Sequence, residues 1–220
     1  MSELPDTTAL TSINAHRSID LHDSVDHHAL NASWGDCRWQ PHPQLVDAPA
    51  GGWRDWLTAR GSLTRKLSQA AQQSITVQVL SQGVGQVSRA EARWLQQSHG
   101  RVSVRHVMLC VNGEPWVFAR SLLPLSQPHP LYRAWQGLGR QALGHVLFNL
   151  PGVTRGALYH CRPAQLPITS LWGRASCFSY HDAPLLVCEH FLPAMAWHLG
   201  LPHPLNANTE CRPSNRRLTI

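Results

Sequence analysis

A chain of 220 residues, 43% apolar and 15% charged, has enough material for one domain with a full hydrophobic core and is too apolar to be disordered throughout. It holds no run near the ~20 apolar residues that a membrane helix needs. Its start, Met1-Ser2-Glu3-Leu4-Pro5-Asp6, has neither the basic opening nor the apolar stretch of a secretory signal. The net charge of +6 is unevenly placed, because residues 1–50 carry seven acids against two bases and the basic surplus lies in residues 51–220. All bases there except Lys66 are arginines, and beyond the pairs Arg65-Lys66 and Arg216-Arg217 they form no basic run. That argues against a nucleic-acid partner and suits a small anion held by planar guanidinium forks, although plain use of Arg in place of Lys accounts for many of the positions. The six cysteines stand alone with no CxxC pair, so they are expected to be reduced thiols of a cytoplasmic protein, not a disulfide framework.

Residues 1–50 are polar and weakly periodic and are expected to form a largely disordered extension. Residues 199–220, with three prolines and three asparagines, are expected to form a C-terminal tail, which leaves 51–198 as the folded domain. Trp53 to Arg60 and Leu63 to Gln72 have helical spacing, with Ser62 as N-cap of the second. Ile75-Thr76-Val77-Gln78-Val79-Leu80 alternates and is β-branched, which predicts a strand. Gln82-Gly83-Val84-Gly85-Gln86 is expected to turn, and Glu91 to lie in a polar stretch between strands. Val102 to Val111 is a long strand, Asn112-Gly113 a hairpin turn, and Trp116 to Leu123 the return strand ending at Pro124. Leu131 to Leu138 and Gln141 to Phe148 are predicted helices. A second hairpin runs from Leu171 to Tyr180, turns at His181-Asp182-Ala183-Pro184, and returns from Leu185 to Phe191, closed by Pro193. The fold class expected is α+β, a single antiparallel sheet with flanking helices, backed on one face.

Five carboxylates lie in residues 51–198, and only Glu189 is placed in mid-strand, sharing a face with Val187 and Phe191. A carboxylate on an apolar face requires a raised pKa or a cationic partner. It is therefore either a proton-transfer group or half of a buried Glu–Arg pair that holds the sheet together. Arg105 alternates with Val107, Leu109 and Val111 and is either ligand-binding or paired. Arg174 and Arg140 are second candidates, with a surface place expected for Arg140. Leu143 stands near a helix start, where free N–H groups favour anions and a Leu also packs a core. Cys188 should point to the face opposite Glu189, as a buried structural thiol. The 14 histidines, among them His22, His27, His28, His198 and His203, show no HExxH or paired Cys/His spacing and are expected to be incidental. No G-x-S-x-G occurs.

The segment Val104-Arg105-His106-Val107-Met108-Leu109-Cys110-Val111-Asn112-Gly113-Glu114-Pro115-Trp116-Val117-Phe118-Ala119-Arg120-Ser121 resembles the central hairpin of the chorismate lyase family. Leu138-Gly139 with Leu143-Gly144, then Leu171-Trp172-Gly173-Arg174, Pro184-Leu185-Leu186 and Glu189-His190-Phe191-Leu192-Pro193, follow in the family's order and spacing. The resemblance covers about residues 51–195. It implies a sheet-and-helix domain with its ligand cavity inside, and no metal and no organic cofactor. It also implies elimination of pyruvate from chorismate to give 4-hydroxybenzoate, the first step feeding ubiquinone biosynthesis, by a carbon–oxygen lyase. By motif position, Arg105 and Glu189 are the implied catalytic and substrate-binding side chains. Backbone groups of Leu143 and Leu63 complete the implied binding set. A monomer without stable membrane insertion is expected. The rival reading is a non-catalytic ligand sensor of the same fold, as in the effector domains of transcription regulators. The acidic, poorly helical first 50 residues argue against the DNA-binding helices such regulators carry.

Overall fold

The structure, a computed structural model, describes residues 37–41, 51–96, 101–125, 128–162 and 170–202. Most of the 1–50 extension, and the tail from residue 203, lie outside these residues. In chain order the elements are β1 (Gln40–Pro41), α1 (Trp53–Thr58), α2 (Leu63–Ala71), β2 (Thr76–Gly85), α3 (Arg89–Trp94), β3 (Val102–Val111) and β4 (Glu114–Pro124). Next come α4 (Tyr132–Gln136), α5 (Leu143–Asn149), β5 (Thr154–Arg155), β6 (Tyr159–Cys161), β7 (Trp172–Tyr180), β8 (Ala183–Phe191) and α6 (Pro193–Leu199). The strands form one sheet, in the order β1-β6-β7-β8-β4-β3-β2 with β5 added beside β7, and the pairings are antiparallel.

The α+β class is therefore as expected, and both hairpins stand where the turn chemistry put them. Asn112 and Gly113 take φ of 50° and 80°, and His181 and Asp182 take 48° and 60°, the paired positive angles of a two-residue turn. The second turn is tighter than predicted, with Ala183 and Pro184 already in β8 opposite Tyr180 and Ser179. Proline is tolerated there because it sits at the strand's start. Ser62 does cap α2, its Oγ accepting from the Arg65 N–H at 3.3 Å.

Three expectations need correction. The segment from Gln82 to Gly85 is not a turn: β2 runs through it, pairing Gln82 with Arg105 and Gly83 with Val104. A neighbouring strand supplies the hydrogen bonds, and on this edge strand the Gly83 position opens onto empty space, so low β-propensity does not end it. The stretch around Glu91 is the helix α3, opened by a capping box in which Ser88 Oγ accepts from Glu91 N–H and Glu91 Oε2 accepts from Ser88 N–H. Finally, the sheet is not backed on one face alone: both faces are covered, in keeping with the apolar residues on both sides of 102–111.

Alternation sorts the central strands. Arg105, Val107 and Leu109 share the front face with Val117, Ala119, Ser121, Val187, Glu189, Phe191 and Arg174. Trp53 and Leu57 of α1, Leu63 and Leu67 of α2 and Met195 of α6 pack against that face. On the back face, Val104, Leu122, Leu186 and Cys188 pack against Leu95 and the Trp39 and Trp94 rings. Every residue of β3 is buried, as a strand enclosed on both sides requires. Pro193 ends β8 and also serves as the first residue of α6, whose C-cap Gly200 adopts φ 61°.

One buried contact sets a pH dependence. His129 accepts the Leu131 N–H at its Nδ1 (3.1 Å) and faces the Pro184 carbonyl with its Nε2 at 3.0 Å, so the fold uses the neutral ring with the proton on Nε2. Burial lowers its pKa below the ordinary 6.5, against the opposing effect of the Pro184 carbonyl. The unfolded chain then binds more protons than the folded one below about pH 6.5, so stability falls as pH drops from there. Urea unfolding at pH 7 and pH 5 should show the loss, and His129→Gln should reduce its slope.

Candidate active site

A cavity lies between the front face of the sheet and the starts of α2 and α5. About 580 Å³ of open space lies within it, its solvent-open mouth included. Val107, Leu109, Ala119, Leu147, Phe178 and Val187 make most of it apolar. The two helix starts meet at its rim, where a Cβ on Gly144 would stand 3.5 Å from Ser62 Oγ.

Arg105 enters from β3 and is 3% exposed. Its Nη1 donates to Gln82 Oε1 at 2.5 Å, and its Nη2 to the carbonyls of Gly139 (2.7 Å) and Gln141 (3.3 Å). Neutral acceptors fix the guanidinium without neutralising it, and burial lowers its pKa from the ordinary value. Its two terminal nitrogens are thus engaged, and no bond from its Nε is found among the described residues.

Glu189 enters from β8, with its side chain 12% exposed. The cationic partner that an acid on this face requires is Arg174, directly opposite on β7, with Nε 2.5 Å from Glu189 Oε2. Arg174 is itself anchored, its Nη1 donating to the carbonyls of Trp56 (2.7 Å) and Ala59 (3.0 Å) at the C-terminal end of α1. Its Nη2 is buried with no partner among the described residues. The sheet pair considered from sequence is thus present, and the same pair lines the cavity.

In register, Arg105 lies across from Ser121 and Glu189 across from Ala119, so β4 alone separates the two strands. That places their backbones roughly 10 Å apart across the sheet and about 7 Å along it.

Leu63 and Leu143, the first residues of α2 and α5, line the cavity with Arg105 and Glu189, so the four sequence-selected positions meet in one place. Sequence reading missed Arg155, which follows no recognisable strand pattern because β5 has two residues. Its Nε donates to Ser176 Oγ at 2.8 Å, its guanidinium lies over the Phe178 ring at 5.1 Å, and burial holds its pKa down at about 10. Gln82 was missed because it was placed in a turn beyond the predicted strand, whereas β2 continues through it. Arg140 is exposed and does not line the cavity. Cys188 lies on the back face, and burial pushes its thiol pKa up, which suits a packed thiol and not a nucleophile. His198 pairs with Glu114 on the surface, whereas His22, His27, His28 and His203 lie outside the described residues. The lining thus gathers three guanidiniums against a single carboxylate, an arrangement made for an anion of more than one charge.

The profile of the chorismate lyase family matches residues 35–199. The chain belongs to the chorismate lyase family. Among its relatives, the chorismate pyruvate-lyase of Salmonella arizonae is 36% identical over 141 residues, 64% of this chain and 82% of that one. The probable chorismate pyruvate-lyase of Shewanella sp. strain W3-18-1 is 38% identical over 180 residues, 76% of this chain and 94% of that one. A solved GntR-family transcriptional regulator from Bacillus cereus aligns at a TM-score of 0.40 with 11% identity, over 55% of this chain and 92% of that one. That likeness is too distant to bear on function. The family match begins at residue 35, inside the stretch read from sequence as an extension, and the described residues 37–41 include the strand β1.

Proposed function

We propose that this chain is a chorismate pyruvate-lyase, a carbon–oxygen lyase that converts chorismate to 4-hydroxybenzoate and pyruvate in the cytoplasm and so feeds ubiquinone biosynthesis. The observation that carries the reading is the cavity lining: apolar walls, one carboxylate and surplus guanidinium charge on one face of the sheet. Chorismate is a dicarboxylate on a single six-membered ring, so its two charges match the cationic surplus and its ring the apolar walls.

In the elimination the C3–O bond breaks with its electron pair going to the enolpyruvyl group. The hydrogen at C4 is lost from the ring, and a proton ends on the methylene carbon of the departing group, which leaves as pyruvate. Ring aromatisation drives the step, so no electron acceptor enters the balance. The protein has to orient the ether, keep water out and assist the proton. Arg105 holds a carboxylate, and backbone groups of Leu63 and Leu143 position the ring. Glu189, kept in place by Arg174, assists proton transfer at the ether oxygen or at C4. The enzyme acts as a monomer without a metal or organic cofactor in the reaction.

Incubating the purified chain with chorismate tests this directly. Pyruvate and 4-hydroxybenzoate should appear in equal amounts, and ligand binding without either product would refute it. Arg105→Lys should keep a charge but lose the fork. A hydrogen bond to a charged group contributes ~1.5–3 kcal/mol, so KM for chorismate should rise roughly 10- to 150-fold with the fold intact. An unchanged KM would remove Arg105 from the binding set.

A further inference from the structure

The back face of the sheet holds a second chemical cluster that the reaction does not use. Cys161 closes β6, opposite Gly173 of β7, and Gly173 lies opposite His190 of β8, so the three form one row across adjacent strands. Cys37 reaches the same spot from the segment that leads into β1, which pairs with β6 through Gln40 and His160. The two sulfurs and a ring nitrogen of His190 lie within 4.8 Å of one another, and all three residues are buried.

Gly173 makes the space. A Cβ there would stand 2.7 Å from Cys161 Sγ and 3.0–3.1 Å from the His190 ring, which any larger residue would displace. The Trp39 ring packs edge-on against His190 at 5.8 Å, and Trp94 packs against Trp39, which closes the row from solvent.

From this geometry we infer that Cys37, Cys161 and His190 form a structural site for one thiophilic d10 metal ion, with zinc as the ordinary occupant. Two thiolates and an imidazole are the donors that soft and borderline ions select. With zinc bonds of about 2.0–2.3 Å, ligand atoms stand roughly 3.4–4 Å apart, so the three need only draw together slightly. Zn²⁺ with two thiolates and a neutral imidazole carries no net charge, which is what a dry interior tolerates. Binding replaces the two thiol protons and releases them to solvent, with no change of oxidation state. The ion would fasten the N-terminal segment to three strands at once. Because it lies on the face opposite the cavity, it should affect stability and leave the chemistry alone.

The test uses the full chain, purified without reductant and free of any affinity tag. Elemental analysis should find about one zinc or copper ion per chain. After stripping with a chelator, cobalt(II) should bind once and give the intense charge-transfer absorption of thiolate ligation, which surface histidines cannot produce. Cys37→Ser and Cys161→Ser should each weaken binding by at least ~100-fold and abolish that absorption, with chorismate turnover within about twofold of the parent. Failure of the parent protein to take up any ion, cobalt binding without the thiolate band, or a Cys37–Cys161 disulfide in its mass spectrum would each overturn the assignment. The first and last of these need no variant to fold.

Discussion

Replacing Glu189 by Gln is expected to lower chorismate turnover by ~10²- to 10⁴-fold, the usual worth of a positioned proton-transfer group, while the protein folds and binds. The amide oxygen of Gln can still accept from Arg174 Nε, now 2.5 Å from Glu189 Oε2, and Arg174 keeps its bonds to the Trp56 and Ala59 carbonyls. The shape of the pair therefore survives while the carboxylate that would take or give the proton does not. This separates two roles that the geometry superimposes. If the carboxylate only fastened β7 to β8, the substitution would show in the denaturation midpoint and spare kcat. If it serves the reaction, kcat falls and affinity for 4-hydroxybenzoate changes little. Steady-state kinetics beside a thermal melt decides, and near-normal kcat would take Glu189 out of the mechanism.

The largest effect on stability is expected from Glu91→Ala. Glu91 of α3 is an acid enclosed on the back face, its Oε1 2.8 Å from Nε of Arg120, and the two side chains are 3% and 0% exposed. Arg120 Nη1 lies 2.9 Å from His106 Nε2, Nη2 donates to the Gln86 carbonyl at 2.9 Å, and His106 Nδ1 lies 2.8 Å from Ser81 Oγ. An arginine cation donates and cannot accept, so the His106 ring accepts from Arg120 at Nε2 and donates to Ser81 Oγ from Nδ1. Removing the carboxylate takes from the enclosed Arg120 the counter-charge that Glu91 supplies. Breaking such a pair costs ~3–5 kcal/mol, which for a domain of this size lowers Tm by roughly 6–20 °C. Replacing both partners, Glu91→Leu with Arg120→Met, should recover part of the loss, because two apolar side chains need no partner while the Gln86 carbonyl and His106 Nε2 lose a donor. A calorimetric scan of the single and double variants checks both halves. A single variant as stable as the parent would mean that water reaches Arg120.

The parts of the fold with strong local chemistry were legible in the sequence. Alternation in 102–111 and the Asn112-Gly113 pair define the β3–β4 hairpin without help from the rest of the chain. The single acid of β8 stands out because its neighbours Val187 and Phe191 are apolar. What escaped has a common cause, which is dependence on distant partners. β1, β5 and β6 have two or three residues each and exist only because β6 and β7 offer an edge to pair with. Arg155 therefore could not be placed in the cavity, and Cys37, Cys161 and His190 could not be grouped, since no fixed spacing links them. The helix α3 is different. Its Ser88–Glu91 capping box was present in the sequence, but the apolar periodicity around it was too short to draw attention. Arg174 could be nominated from sequence, but only the strand register shows it opposite Glu189.

Arg105 is steadied by Gln82, and Gln82 belongs to β2, which ends the sheet and is paired on one side alone. Gln82 also donates to the Trp135 carbonyl at 3.3 Å, so the outermost ribbon is stitched inward at the very residue that braces the anion-gripping fork. Fraying of that margin would release the fork long before the centre of the molecule melts. Occupancy and margin are therefore one linked equilibrium: a tenant in the cavity slows amide hydrogen exchange along residues 76–85, and loosening the margin loosens the tenant.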